Sequence, residues 1–195
     1  MAAILLGLAL AAAGVWSAWQ AVARLGGPSV AGSVLAGRAA PPRLDPAAAR
    51  ALLTATRHAP PGPARDARRG LAWLVLGDWA EAERAFTAAL ARAPADPVTW
   101  TRLALVRHRR GRPPAWVAAA LALALRTGPR TAHLAPLRAE LALRYWPTLP
   151  ASARRRARVQ IRLGWTQAPA ALRRAATVTG RTAVLAQALG RRPHH

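Results

Sequence analysis

The stretch Gly70–Pro94, GLAWLVLGDWAEAERAFTAALARAP, decides the fold of this chain. Its apolar beginning predicts a first helix, which Gly77 interrupts. Asp78 predicts the N-cap of a second helix, because Glu81 follows three residues later, as in a capping box. Apolar residues then recur at steps of three and four until Pro94 ends the helix. The stretch therefore predicts a helical hairpin, and a lone hairpin cannot bury its own apolar face.

Small and aromatic residues stand at fixed spacings in this hairpin. Gly70, Trp73, Ala82, Phe86 and Pro94 are arranged as in the tetratricopeptide repeat, which the stretch resembles. The resemblance implies that the hairpin is one unit of a helical stack. The family's earlier Trp and Leu are absent, since Asp66 and Arg69 stand at those positions.

The neighbouring segments repeat this spacing. Pro60, Pro94 and Pro129 end successive helical patterns and are almost evenly spaced along the chain. Their spacing is close to the period of the tetratricopeptide repeat, which is about 34 residues. The side chains expected to pack the repeats together are Gly70, Trp73, Ala82, Phe86, Ala89, Pro94, Trp100, Leu103 and Ala104.

Abundant alanine and the repeated helical patterns predict an all-α protein with four segments. We expect a membrane anchor at 1–25, a flexible linker at 26–44, a short α-solenoid of helical repeats at 45–129, and an arginine-rich helical region at 130–192. The last region would cap the solenoid, since terminal caps need a polar outer face.

The first 23 residues contain no charged side chain. A helix of that length can cross a hydrocarbon core about 30 Å thick, which predicts a single-pass helix in the inner (cell) membrane. A cleaved signal peptide, with Ala21–Ala23 as its cleavage motif, is the alternative. Arg24 and Arg38 favour a cytoplasmic C-terminal domain by the positive-inside rule, and a periplasmic domain stays open.

The formal net charge is +22, and every basic residue apart from histidine is arginine. The bias can reflect genome composition with a merely solvated surface, or it can build a functional basic surface. The densest cluster is Arg154, Arg155, Arg156, Arg158 and Arg162. If this cluster is functional, anionic lipid suits it better than nucleic acid, because a membrane anchor is predicted upstream. No base-reading motif accompanies the cluster, so sequence-specific recognition of nucleic acid is not indicated.

Catalytic chemistry is not indicated. The chain has no cysteine, and most of its seven carboxylates stand at predicted helix caps. Glu140 stands among arginines, which favours a structural ion pair over a catalytic acid. The histidines are far apart, without the regular spacing of metal ligands. We therefore expect no enzyme activity, no metal site and no cofactor.

Binding to another protein is the function that this pattern favours. Stacked hairpins form a groove lined by the first helix of each pair, and an amphipathic or acidic partner segment would suit this one. The groove residues predicted are Ala67, Leu71, Leu74, Val98, Thr101, Arg102, Leu105 and Arg109. The leading hypothesis is a membrane-anchored adaptor or scaffold in a bacterial envelope.

A fainter resemblance suggests an alternative role. The segment from Tyr145 through Leu172 resembles the C-terminal regions of small membrane-anchored proteins from exopolysaccharide and envelope loci. This resemblance implies an accessory or regulatory protein of envelope polysaccharide biosynthesis.

Overall fold

The computed structural model describes residues 45–190, and this part of the chain is all-α with no β-strand. A single 3₁₀ turn at Ala132–Leu134 precedes the sixth helix. The helices of the described part are α1 (Pro46–Arg57), α2 (Pro63–Leu76), α3 (Trp79–Arg92), α4 (Pro97–Arg109), α5 (Pro114–Thr127), α6 (Ala135–Arg144), α7 (Ala151–Gln167), α8 (Pro169–Val178) and α9 (Thr182–Ala188).

Short polar side chains and glycine set several helix ends. The carboxylates of Asp45, Asp78 and Asp96 each accept a hydrogen bond from a backbone N–H in the first turn of α1, α3 and α4. Gly77 ends α2 in the left-handed region at φ 80°, which a residue with a side chain rarely adopts. These ends confirm the hairpin predicted around Gly77.

Helices adjacent in sequence pack against each other. The pairs α2–α3, α4–α5 and α6–α7 form three successive hairpins, α1 packs on α2, and α8 contacts both α6 and α7. Pro63 and Pro97 begin the first helices of two hairpins, at the same interval that separates Pro60 from Pro94. The architecture is compatible with a helical-repeat fold. The hairpin α6–α7 extends the stack into the region 130–192, which the sequence predicted as an arginine-rich helical cap.

The side chains expected to pack the repeats lie mostly in the interior. A Cβ atom placed on Gly70 would stand 2.5 Å from Cδ1 of Phe86, so the absence of a side chain lets α2 approach α3. Trp73 and Trp100 are partly exposed, and Trp100 Nε1 donates to the carbonyl of Pro94 at 2.8 Å. Pro94 itself is exposed. The buried members are Gly70, Ala82, Phe86, Ala89, Leu103 and Ala104.

Two apolar clusters fill the stack. The larger one runs from α2 to α7 and includes Phe86, Leu121 and Leu141. The second lies among α6, α7, α8 and α9 around Ile161 and Leu172. The C-terminal helices therefore share a core with the third hairpin.

The predicted anchor at 1–25 and the linker at 26–44 lie outside the described residues. Within 45–190, no helix combines the length and the apolar character needed to cross a bilayer.

Candidate functional site

The predicted groove residues lie on α2 and α4, the first helices of two successive hairpins. Leu74, Thr101 and Leu105 are buried, with exposed fractions of 8%, 0% and 4%. These three side chains contribute to the interior and are not available to a partner. The partly exposed members are Ala67, Leu71, Val98, Arg102 and Arg109.

Thr101 connects two hairpins from inside the protein. Its hydroxyl donates to the carbonyl of Pro97 at 2.7 Å and accepts a hydrogen bond from Nε of Arg138 at 2.9 Å. The Arg138 guanidinium is fully buried and also donates to the carbonyls of Gly128, at 2.6 Å, and Pro97, at 3.1 Å. Burial lowers the pKa of Arg138 to about 10, so the group stays charged at neutral pH.

The partly exposed arginines of α4, Arg102 and Arg109, lie in an electropositive part of the surface. Burial lowers the pKa of Arg109, and the charge of Arg144 on α6 lowers it further. Burial likewise lowers the pKa of His133, with contributions from Arg138 and Arg102. Positive groups of α4, of α6 and of the 3₁₀ turn before α6 therefore destabilise each other's charged forms. An acidic ligand group would relieve this repulsion.

An ion-pair cluster on the second helix of the first hairpin was not predicted from the sequence. Glu83 of α3 is only 7% exposed, and its carboxylate forms ion pairs with Arg107, Arg110 and Arg112. Nε of Arg107 lies 3.2 Å from Oε1 of Glu83, and Nε of Arg112 lies 3.0 Å from Oε2. Burial alone would raise the pKa of Glu83, but hydrogen bonds from the three arginines outweigh it and the pKa is lowered. This cluster attaches the first hairpin to the second.

One sequence signal could have found this cluster. Arg107 stands where the repeat pattern has an aromatic residue. In the structure its guanidinium also lies 5.6 Å from the ring centroid of Trp116 and donates to the Trp116 carbonyl at 3.1 Å. An arginine at an aromatic packing position indicates a carboxylate or a ring nearby.

A histidine and a tyrosine join α4 to the end of α6. His108 Nδ1 lies 2.8 Å from the hydroxyl of Tyr145, and the two rings meet edge to face. Burial lowers the pKa of His108 to about 4, and the charges of Arg144 and Arg109 add to the shift. The imidazole is therefore neutral at physiological pH.

Glu140 of α6 is a buried carboxylate, where the sequence suggested an ion pair. It is 6% exposed, its Oε1 has no hydrogen-bond partner, and the described residues place no basic nitrogen within 4.0 Å of it. Burial raises the pKa of Glu140 to about 7, although Arg144 and Arg174 act in the opposite direction. The positive charges of these two arginines lower the pKa of Glu140 from a distance, without forming an ion pair with it.

The predicted basic cluster lies on α7. Arg155, Arg156 and Arg162 are exposed, and Arg154 and Arg158 are partly exposed. The opposite face of α7 is buried, around Ala157 and Ile161. The helix therefore separates an apolar inner face from an arginine-rich outer face.

Residues 45–190 contain no group of three or more His, Asp or Glu side chains that could hold a metal ion. Comparisons with known proteins add no family: the chain matches no protein-family model, no curated protein and no solved structure. The class that the described residues define is an all-α stack of packed helix pairs.

Proposed function

We propose that this chain is a membrane-anchored, tetratricopeptide-like adaptor whose α2–α4 face binds an acidic, amphipathic segment of a partner protein. The observation that carries the proposal is the combination of partly exposed apolar and cationic side chains on first helices of successive hairpins. Leu71 and Val98 supply apolar contact area, while Arg102 and Arg109 supply charge. Helix-in-groove recognition needs this combination.

The electrostatics support an acidic partner over a neutral one. Burial lowers the pKa of Arg102, and among the described residues Asp96 is the only carboxylate that acts against this shift. Arg109 lies 6.0 Å from the ring centroid of Trp79, and its Nε is buried without a hydrogen-bond partner. A carboxylate from a partner would favour the charged forms of these two guanidinium groups.

Affinity capture with the full chain tests this proposal. The informative variant combines Arg102→Gln with Arg109→Gln, and the matched control combines Arg126→Gln with Arg130→Gln, two exposed arginines near the end of α5. We expect proteins retained by the wild type and the control to be lost with the α4 variant. An unchanged set in all three captures would contradict the adaptor proposal.

Membrane attachment and orientation need a separate experiment. A reporter fused after the last residue of the full chain distinguishes a cytoplasmic C-terminal domain, the proposed arrangement, from a periplasmic one. A periplasmic result would favour the alternative role in envelope polysaccharide biosynthesis. A reporter found in the soluble fraction would contradict the anchor.

A further inference from the structure

The carboxylates of this chain are confined to its first three quarters. From residue 141 onward the sequence contains eleven arginines and no Asp or Glu. Helices α7, α8 and α9 therefore have no acidic residue of their own to neutralise their arginines. Uncompensated charge on this scale produces a positive surface potential that attracts polyanions.

Three of the five arginines of α7 are held in place by neighbouring elements. Arg158 donates to Oε1 of Gln187 at 3.2 Å, and Arg162 donates to the carbonyl of Ala188 at 3.3 Å, so both are tied to the end of α9. Arg154 donates to the carbonyl of Pro147 at 2.7 Å. Side chains already ordered in the free protein lose less entropy when they bind.

This surface, which we name the α7 basic face, consists of Arg155, Arg156, Arg158 and Arg162 together with Val159. The valine is 40% exposed, four residues after Arg155 and three before Arg162, so it lies among the guanidinium groups on one helix face. An apolar side chain surrounded by arginines suits the boundary between headgroups and acyl chains.

Nucleic acid suits the same face less well. Single strands bind through bases stacked on aromatic rings. The two tryptophans closest to this face in sequence are already covered, since Arg158 lies 5.9 Å from the ring centroid of Trp146 and Arg173 lies 5.3 Å from that of Trp165.

Within residues 45–190, a second copy of the chain offers no cluster of unpaired carboxylates to this face. Asp66, Glu81 and Glu83 are paired with arginines of their own chain, and Glu140 is buried. The remaining three carboxylates are the helix N-caps. We propose that the α7 basic face docks on a bilayer rich in anionic phospholipid, with Val159 at the headgroup boundary. This proposal does not depend on the partner groove of α2 and α4.

Site-specific fluorescence on vesicles tests the docking. Because the full chain has no cysteine, Val159→Cys and the exposed control position Thr87→Cys each accept one environment-sensitive label. The labelled full chain is added to vesicles of phosphatidylcholine alone and to vesicles containing about one third phosphatidylglycerol. We expect a blue shift only at position 159 and only with the anionic vesicles, and we expect it to disappear at about 0.5 M salt. An N-terminal segment that inserts into both vesicles leaves this contrast intact.

A variant that removes charge from the α7 basic face is compared with a control variant that removes the same charge elsewhere. Arg155→Gln, Arg156→Gln and Arg162→Gln together should weaken docking roughly a hundredfold, at about fivefold for each arginine near an anionic surface. A second triple variant, Arg50→Gln, Arg57→Gln and Arg126→Gln, removes the same net charge from exposed positions elsewhere and should change docking by less than about threefold. Equal shifts with neutral and anionic vesicles, or equal losses in both triple variants, would overturn the proposal. The proposal would also be overturned if the fluorescence of the label at position 159 responded to a single-stranded oligonucleotide and did not respond to vesicles.

Discussion

The Nε atom of Arg138 on α6 donates a 2.9 Å hydrogen bond to the hydroxyl of Thr101 on α4, and both residues are completely buried. The contact joins the second and third hairpins through a guanidinium that has no carboxylate partner among the described residues. Three neutral acceptors satisfy it, of which two are backbone carbonyls. The stack is therefore held together by a buried charge as well as by apolar packing.

Replacing Arg138 should destabilise the protein more than replacing Thr101. Arg138→Met removes three hydrogen bonds from a charged donor, worth about 1.5–3 kcal/mol each and partly offset by the removed buried charge. The carbonyls of Gly128 and Pro97 keep the hydroxyls of Thr131 and Thr101 as donors. Thr101→Val leaves the buried Nε–H of Arg138 without this acceptor and should cost about 1–3 kcal/mol. Urea denaturation measures both. Because an ammonium group cannot reproduce the fork of a guanidinium, Arg138→Lys should fail to restore stability; full restoration would contradict this account.

Gly70→Ala tests the close approach of α2 and α3. The added Cβ would meet the fully buried ring of Phe86, and such overpacking costs about 1–3 kcal/mol. The better helix propensity of alanine returns up to about 1 kcal/mol. We expect a net loss in thermal denaturation. In a Phe86→Leu background the loss should vanish, and strictly additive effects would show that the ring is not the obstacle.

Glu83→Gln should weaken the joint between the first two hairpins. The variant leaves three arginines around a neutral amide, and breaking a buried ion pair in this way costs about 3–5 kcal/mol. Chemical denaturation measures the loss. Glu81→Gln is the matched control, because the Glu81–Arg84 pair is more exposed and should contribute less than about 1 kcal/mol. Similar losses in the two variants would refute a special role for Glu83.

Glu140 should make the protein less stable as the pH rises. Because its folded pKa of about 7 lies above the ordinary value of 4.5, the folded state keeps a proton that the unfolded state releases. Stability from this group is complete below pH 4.5 and is lost by the time the pH has risen through 7. Glu140→Gln removes this dependence and should gain up to about 3 kcal/mol over the wild type at pH 8. An identical pH profile for the two proteins would exclude the effect.

His108 should act with the opposite sign. Its folded pKa of about 4 lies below the ordinary value of 6.5, so the unfolded state takes up a proton first as the pH falls. The stability present above pH 6.5 is lost as the pH falls through 4, by about 1–3 kcal/mol for this partly exposed ring. His108→Gln should flatten that decline in melting temperature. Since Glu140 and His108 oppose each other between pH 4.5 and 6.5, only the single variants separate the two effects.

The first hairpin could be predicted from the sequence because it depends on residues that are close together along the chain. A capping Asp78, a left-handed Gly77 and apolar residues at helical spacing specify a hairpin within the stretch Gly70–Pro94 alone. Gly70 and Phe86 were both predicted to be packing residues because they stand at the spacings of the tetratricopeptide repeat; their direct contact was not predicted. The third hairpin lacks that aromatic spacing, so the sequence predicted this region as a helical cap and not as a further hairpin of the stack.

The sequence by itself determined the all-α class, the hairpin around Gly77 and the shortage of carboxylates toward the C-terminus, because these follow from composition and from contacts a few residues apart. Only the tertiary structure decided which polar side chains are buried. Glu83 meets its arginines across 24 to 29 residues, and Arg138 reaches Thr101 across 37. Contacts that distant depend on how the hairpins stack, and no local periodicity encodes them. For the same reason the structure, and not the helical spacing, separated the buried Thr101 from the partly exposed Arg102.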